Sequence, residues 1–116
     1  MLRQLGWAQE AAREAANQQW LEMLCQRGET ARELATELPS ILSSESLSLQ
    51  DATEMSRLLG RFGKVMKSMV REMELDGAEG HLVELGGTIA TVFDDLAQSA
   101  DERTTEIQQR YVRLMA

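Results

Sequence analysis

Residues 52–73 carry an apolar side chain at Ala52, Met55, Leu59, Phe62, Met66, Met69 and Met73, in alternating steps of three and four over three heptads. On a strand these positions would divide between two faces, whereas on an α-helix they fall on one stripe. The segment is therefore read as a helix. Its stripe of a and d positions is a seam that another helix has to cover. That requirement restricts the chain to helices packed on helices.

Four of the seven seam positions, Met55, Met66, Met69 and Met73, are methionine. Methionine is unbranched and soft, so it fills irregular cores and also lines adaptable grooves for a partner's apolar helix. A helix buries its seam first within its own fold, so core packing is the leading reading and a partner-facing groove the second. Gly60 and Gly63 flank the seam. Each costs roughly 1 kcal/mol inside a helix, which favours a close helix approach over simple tolerance.

The rest of the chain supplies the covering helices. Residues 3–38 are rich in Ala, Glu, Gln, Arg and Leu and end before Pro39, which reads as helix one. Its apolar face runs through Leu5, Ala8, Ala12, Ala16, Trp20, Leu24, Ala31, Leu34 and Leu38, with a weak point at Arg27 and Gly28 where it could break in two. Residues 39–48, PSILSSESLS, read as a linker whose Ile41 and Leu42 tuck back onto the core.

Ser48 followed by Asp51 resembles a capping box, which starts helix two at about Leu49. The glycines of DGAEG end it near Leu75. Helix three spans 80–115, with Gly86 and Gly87 able to delay its firm start to Thr88. Its stripe holds Leu82, Leu85, Ile89, Val92 and Leu96, then shifts phase to Ala100, Ile107, Tyr111 and Leu114, like a coiled-coil stutter. Aromatics are only 4% and no segment alternates with period two, so nothing argues for a sheet. The expectation is all-α: one domain, 1–116, folded as an elongated antiparallel three-helix bundle with coiled-coil-like packing.

Cys25 is the only cysteine, which excludes an internal disulfide and a cysteine-rich zinc site and fits a reducing, cytoplasmic setting. Arg3, Glu10, Arg13 and Glu14 interrupt the first twenty residues, so a signal peptide is not expected, nor is a membrane-spanning helix. A net charge of −7 disfavours nucleic acid. The charge is also segregated. From Ser56 to Arg71 there are five bases and no acid, whereas from Glu72 to Glu106 ten acids face Arg103 alone.

Arg57, Lys64 and Arg71 recur every seven residues and form a ridge opposite the seam, with Arg61 and Lys67 beside it. A solvated face is the plain reading, and an anionic partner, protein or membrane surface, is the functional one. Trp20 and Phe93 read as core anchors, while Trp7 lies off the main face in an alanine-rich stretch and is the better candidate for an exposed contact.

Catalytic chemistry finds little support. His81 and Glu84 would be a poor start to a carboxylate metal site, because a di-iron bundle repeats its ligands on several helices and this chain has one histidine. Cys25 reads as a small core residue, with His81 the sole candidate base. Asp94, Asp95, Asp101 and Glu102 look solvent-facing and lack a partner in a contrasting environment. GRFGK and LGG match no phosphate-binding fingerprint. No catalytic residue, cofactor or metal is expected.

TVFDDLAQSADERTTEIQQRYVRL resembles the third helix of a spectrin-type repeat, with Phe93 and Trp20 in the aromatic places. The first helix is longer and the second connection shorter than in that family, so membership is not inferred. The functional expectation is a non-enzymatic module for protein–protein assembly, self-associating or docking a partner helix. Met55, Met66, Met69, Met73 and Trp7 would provide contact, and Arg57, Lys64 and Arg71 complementarity. The alternatives are a peripheral binder of anionic membrane through the basic ridge, and a small acidic adaptor, chaperone or inhibitor of a basic partner.

Overall fold

A computed structural model describes residues 2–115, with side chains from residue 6 onward, so the side chain of Leu5, expected on the apolar face of helix one, is outside what it describes. Three helices follow one another: α1 Leu2–Leu42, α2 Leu49–Leu75 and α3 Gly80–Met115, with no strand among the described residues. They pack as an all-α three-helix bundle, as the heptad seam demands.

The boundaries of α2 follow from local chemistry. The Ser48 hydroxyl accepts from the Asp51 N–H at 3.1 Å, which satisfies one of the donors that open a helix. At the far end Gly77 adopts φ +72°, and the Ala78 and Gly77 N–H groups close back onto the carbonyls of Met73 (2.9 Å) and Glu74 (3.2 Å). This pair of bonds is a Schellman motif, which needs a residue in the left-handed region at that position. The chain then reverses into α3, which runs through Gly86 and Gly87 from Gly80 without delay.

α1 departs from expectation at its end. It runs unbroken past Gly28 and continues through Pro39 to Leu42, so the connection is only Ser43–Ser48. Proline removes one helical N–H, but its own carbonyl still accepts from the Ser43 N–H at 3.0 Å. Leu38 and Leu42, one turn apart across the proline, are both buried, and their burial outweighs the lost bond. Ile41 points away and is exposed, contrary to the expected tuck. Cys25, expected in the core, is exposed as well, because it lies one residue past Leu24 and off the packed stripe.

α2 and α3 form an antiparallel hairpin held by Lys67–Asp94 at 2.6 Å and by a hydrogen bond from Ser56 to Asp101. α1 lies along α3 in the same direction. The Glu79 N–H donates to Asn17 Oδ1 at 3.3 Å, a Cβ built on Gly28 would meet Ile89 at 3.4 Å, and Arg103 donates to the Ser44 carbonyl at 3.3 Å. Against α2, by contrast, α1 makes only sparse backbone approach.

The central core joins Leu24 and Ala31 of α1, Met66, Met69 and Met73 of α2, and Leu82, Ile89, Ala90 and Phe93 of α3, with Trp20 packed partly buried against it. A second cluster under the connection holds Leu38, Leu42, Leu59 and Ala100, with Met55 and Leu47 at its edge.

The helices are about 62, 41 and 54 Å long at 1.5 Å per residue, yet the molecule extends 79 × 21 × 18 Å. The excess length comes from stagger. The start of α1 overhangs the α2–α3 turn, and Gly6 to Ala16 are exposed throughout, including Ala8, Ala12 and Ala16 of the expected apolar face. At the opposite end Tyr111 and Leu114 are exposed even though Ile107, on the same stripe, is buried.

The two seam-side glycines behave differently. A Cβ on Gly60 would meet nothing within 4 Å, whereas one on Gly63 would stand 2.5 Å from Asp94 Oδ1. Gly60→Ala should therefore raise the unfolding free energy by about 1 kcal/mol, read as a higher denaturant midpoint at unchanged slope. Gly63→Ala should lose most of that gain, because the Asp94 carboxylate has to leave Lys67 to make room. Equal gains at both positions would refute the close approach.

Candidate interaction surface

Sparse contact between α1 and α2 leaves one side of the bundle open. A cleft of about 110 Å³ lies there, walled by Arg27 and Thr30 of α1 and by Phe62 and Val65 of α2, with Met66 and Phe93 below. Phe62 covers the buried Phe93, ring centroids 5.6 Å apart and tilted at 49°, a favoured arrangement for two aromatic rings. Its other face is open, so Phe62 is 40% exposed although it occupies a seam position.

The reason lies in the heptad. With Ala52, Leu59, Met66 and Met73 at a, the e positions Ser56, Gly63 and Val70 turn toward α3, and the g positions Leu58 and Val65 turn toward the open side. Leu58, Phe62 and Val65 thus form a second apolar stripe that the chain covers only in part. On the α1 flank Met23 and Ile41 are exposed too.

The expected contact residues divide accordingly. Met66, Met69 and Met73 are buried in the chain's own core and Met55 is half-buried. The methionine stripe is core, and as a partner-contact set it is corrected: the surface beside it, not the stripe, is free. Trp7 is 73% exposed on the overhang of α1, away from this face.

The basic ridge stands in solvent on the outer side of α2. Arg57 binds Glu54 one turn earlier; this hydrogen bond, and next the carboxylate's charge, raise the Arg57 pKa. Arg61, Lys64 and Arg71 have no ion-pair partner among the described residues. Arg61, three residues from Leu58 and four from Val65, borders the apolar stripe, while Lys64 and Arg71 stand on the far side of the helix.

The acids expected to face solvent are mostly so, although Asp94 is half-buried and held by Lys67. His81 Nε2 lies 3.2 Å from Glu79, both well exposed, and no group of three potential metal-binding side chains occurs among the described residues. No helix among the described residues is long and apolar enough to cross a membrane. Leu58, Val65, Met23 and Ile41 were not legible as a surface from the a/d rhythm alone. The signal was present in the g positions, which widen an apolar stripe when they are aliphatic. Comparison with protein-family models, with curated proteins and with solved structures returned no match.

Proposed function

We propose that this chain is a non-enzymatic helical assembly module that associates with protein, foremost with itself, through the open α1–α2 side. The exposed apolar side chains Leu58, Phe62 and Val65 on that side carry the reading. The chain's 8553 Å² of accessible surface also exceeds the about 6,300 Å² of a compact 13.0 kDa monomer, an excess to which the overhang of α1 and the exposed end of α3 contribute. Exposed apolar stripes rimmed by charge are typical of association sites.

His81 pairs with Glu79 and not with Cys25, which supports a role without covalent chemistry, and a lone thiol suits a reducing, cytoplasmic location. Sedimentation equilibrium tests the reading. A mass rising with concentration toward twice 13.0 kDa is the expected result, and a mass fixed at 13.0 kDa up to high concentration would refute self-association.

A second reading has its own observation. Arg61, Lys64 and Arg71, unpaired among the described residues and on the outer side of α2, also suit an anionic membrane surface. Binding to phosphatidylserine vesicles that disappears in salt would favour it, and equal indifference to anionic and neutral vesicles would dismiss it.

A further inference from the structure

We infer that α1 is an exchangeable arm: it leaves the α2–α3 hairpin of its own chain and docks on the hairpin of a second copy, with residues 43–48 as the hinge. This exchange makes no use of the open α1–α2 side.

The hairpin keeps contacts of its own when α1 leaves. Met66, Met69 and Met73 of α2 share one cluster with Leu82, Ile89, Ala90 and Phe93 of α3, the turn at Gly77 joins the two helices, and Lys67–Asp94 ties them further along. α1 approaches α2 only sparsely and rests on α3. Four of its side chains, Leu24, Ala31, Leu38 and Leu42, are buried in a helix of 41 residues. Its Ala, Glu, Gln, Arg and Leu favour helix without a neighbour, so an undocked α1 keeps its shape.

The hinge carries a cost in its closed form. Beneath it the Arg103 side chain is 13% exposed, and it donates from Nη2 to the Ser44 carbonyl at 3.3 Å and from Nη1 to Glu106 at 3.0 Å. Its Nε is buried with no partner among the described residues. Such an orphaned donor costs free energy that opening the connection relieves. Extended, residues 43–48 reach roughly 20 Å, which carries α1 past this end of the rod.

Two exchanging copies therefore meet hinge end to hinge end. At that end the last turns of α3 expose Tyr111, Val112, Leu114 and Met115 beside a cleft of about 190 Å³ bordered by Glu45 and Leu47. In the exchanged dimer these tails cover one another. Every contact between α1 and α3 is remade with the second copy, so only the hinge and the tails differ between the two forms. Exchange of an identical element is a low-cost route to a dimer.

Gly28 and Ile89 reveal which copy each α1 rests on. A Cβ on Gly28 would stand 3.4 Å from Ile89 Cδ1, so Gly28→Leu crowds this seat and Ile89→Ala hollows it. Combined in one chain, the two changes should return most of the stability that each loses alone, read by urea titration. Mixed as separate full-length chains, they should form a mixed dimer. There the enlarged α1 of one rests on the hollowed α3 of the other, and the second seat is the parent's own. Native mass spectrometry, which resolves the three dimers, should find the ratio of mixed to like dimers at least about tenfold above the statistical one.

Statistical proportions would overturn the exchange and leave association through the open face in place, because there each α1 stays on its own hairpin. No dimer in the mixture or in the parent chain would overturn both. A double variant as weak as the singles would refute the Gly28–Ile89 seat on which the exchange is built.

Discussion

Phe93→Ala should lower the unfolding free energy by about 3–5 kcal/mol, the largest single loss available in this chain. Phe93 is only 2% exposed and is among the largest fully buried side chains, in contact with elements from all three helices. Truncation removes its transfer free energy and leaves a void next to Phe62 and Met66. Met66 is flexible and can partly fill the space, which pulls the loss toward the lower end of the range. Phe62 would also lose the ring it packs against. A domain of this size has a total stability of roughly 5–15 kcal/mol, so the variant should be near half-unfolded in mild denaturant. Urea titration followed by circular dichroism checks it, and a loss below about 1 kcal/mol would show that the core is not organised around this ring.

Leu24→Ala should cost about 2–5 kcal/mol and should act unevenly along the chain. Leu24 is fully buried, and its methyl sits 3.4 Å from where a Cβ on Gly86 would lie. Beyond Leu24, α1 is anchored by Ala31, Leu38 and Leu42, a smaller contact than the one α2 and α3 make with each other. Removing the anchor weakens the docking of α1 more than it weakens the hairpin. Hydrogen exchange should therefore accelerate between Asn17 and Leu42 while the amides near Met66 and Phe93 keep more of their protection. Uniform acceleration over all three helices would instead show a single cooperative unit.

How much could be read beforehand differs by helix. α2 was legible almost to the residue, because its seam is strictly periodic and its ends carry their own signals, Ser48 for the N-cap and Gly77 for the left-handed turn. α3 was legible in extent, since its glycines lie on a helix whose neighbours hold it by burial. α1 was misjudged at Pro39, where a local rule for ending helices lost to the burial of Leu38 and Leu42. Its alanine face was legible as a pattern but not as a surface. Whether Ala8 and Ala12 are covered depends on how far α1 slides along α3, a tertiary quantity with no local signature. The same holds for the interaction face: Leu58 and Val65 are exposed because α1 keeps its distance from α2, and that separation was absent from the heptad pattern.

The offset between α1 and α3 also makes the molecule a ruler whose reading is set by where one rod rests on another. Two contacts mark that reading, Leu24 beside Gly86 and Ile89 beside Gly28. Sliding those contacts by one heptad would lengthen or shorten the span by about 10 Å without adding or removing a residue. The reach of this protein is thus a matter of which turn of α1 rests on which turn of α3.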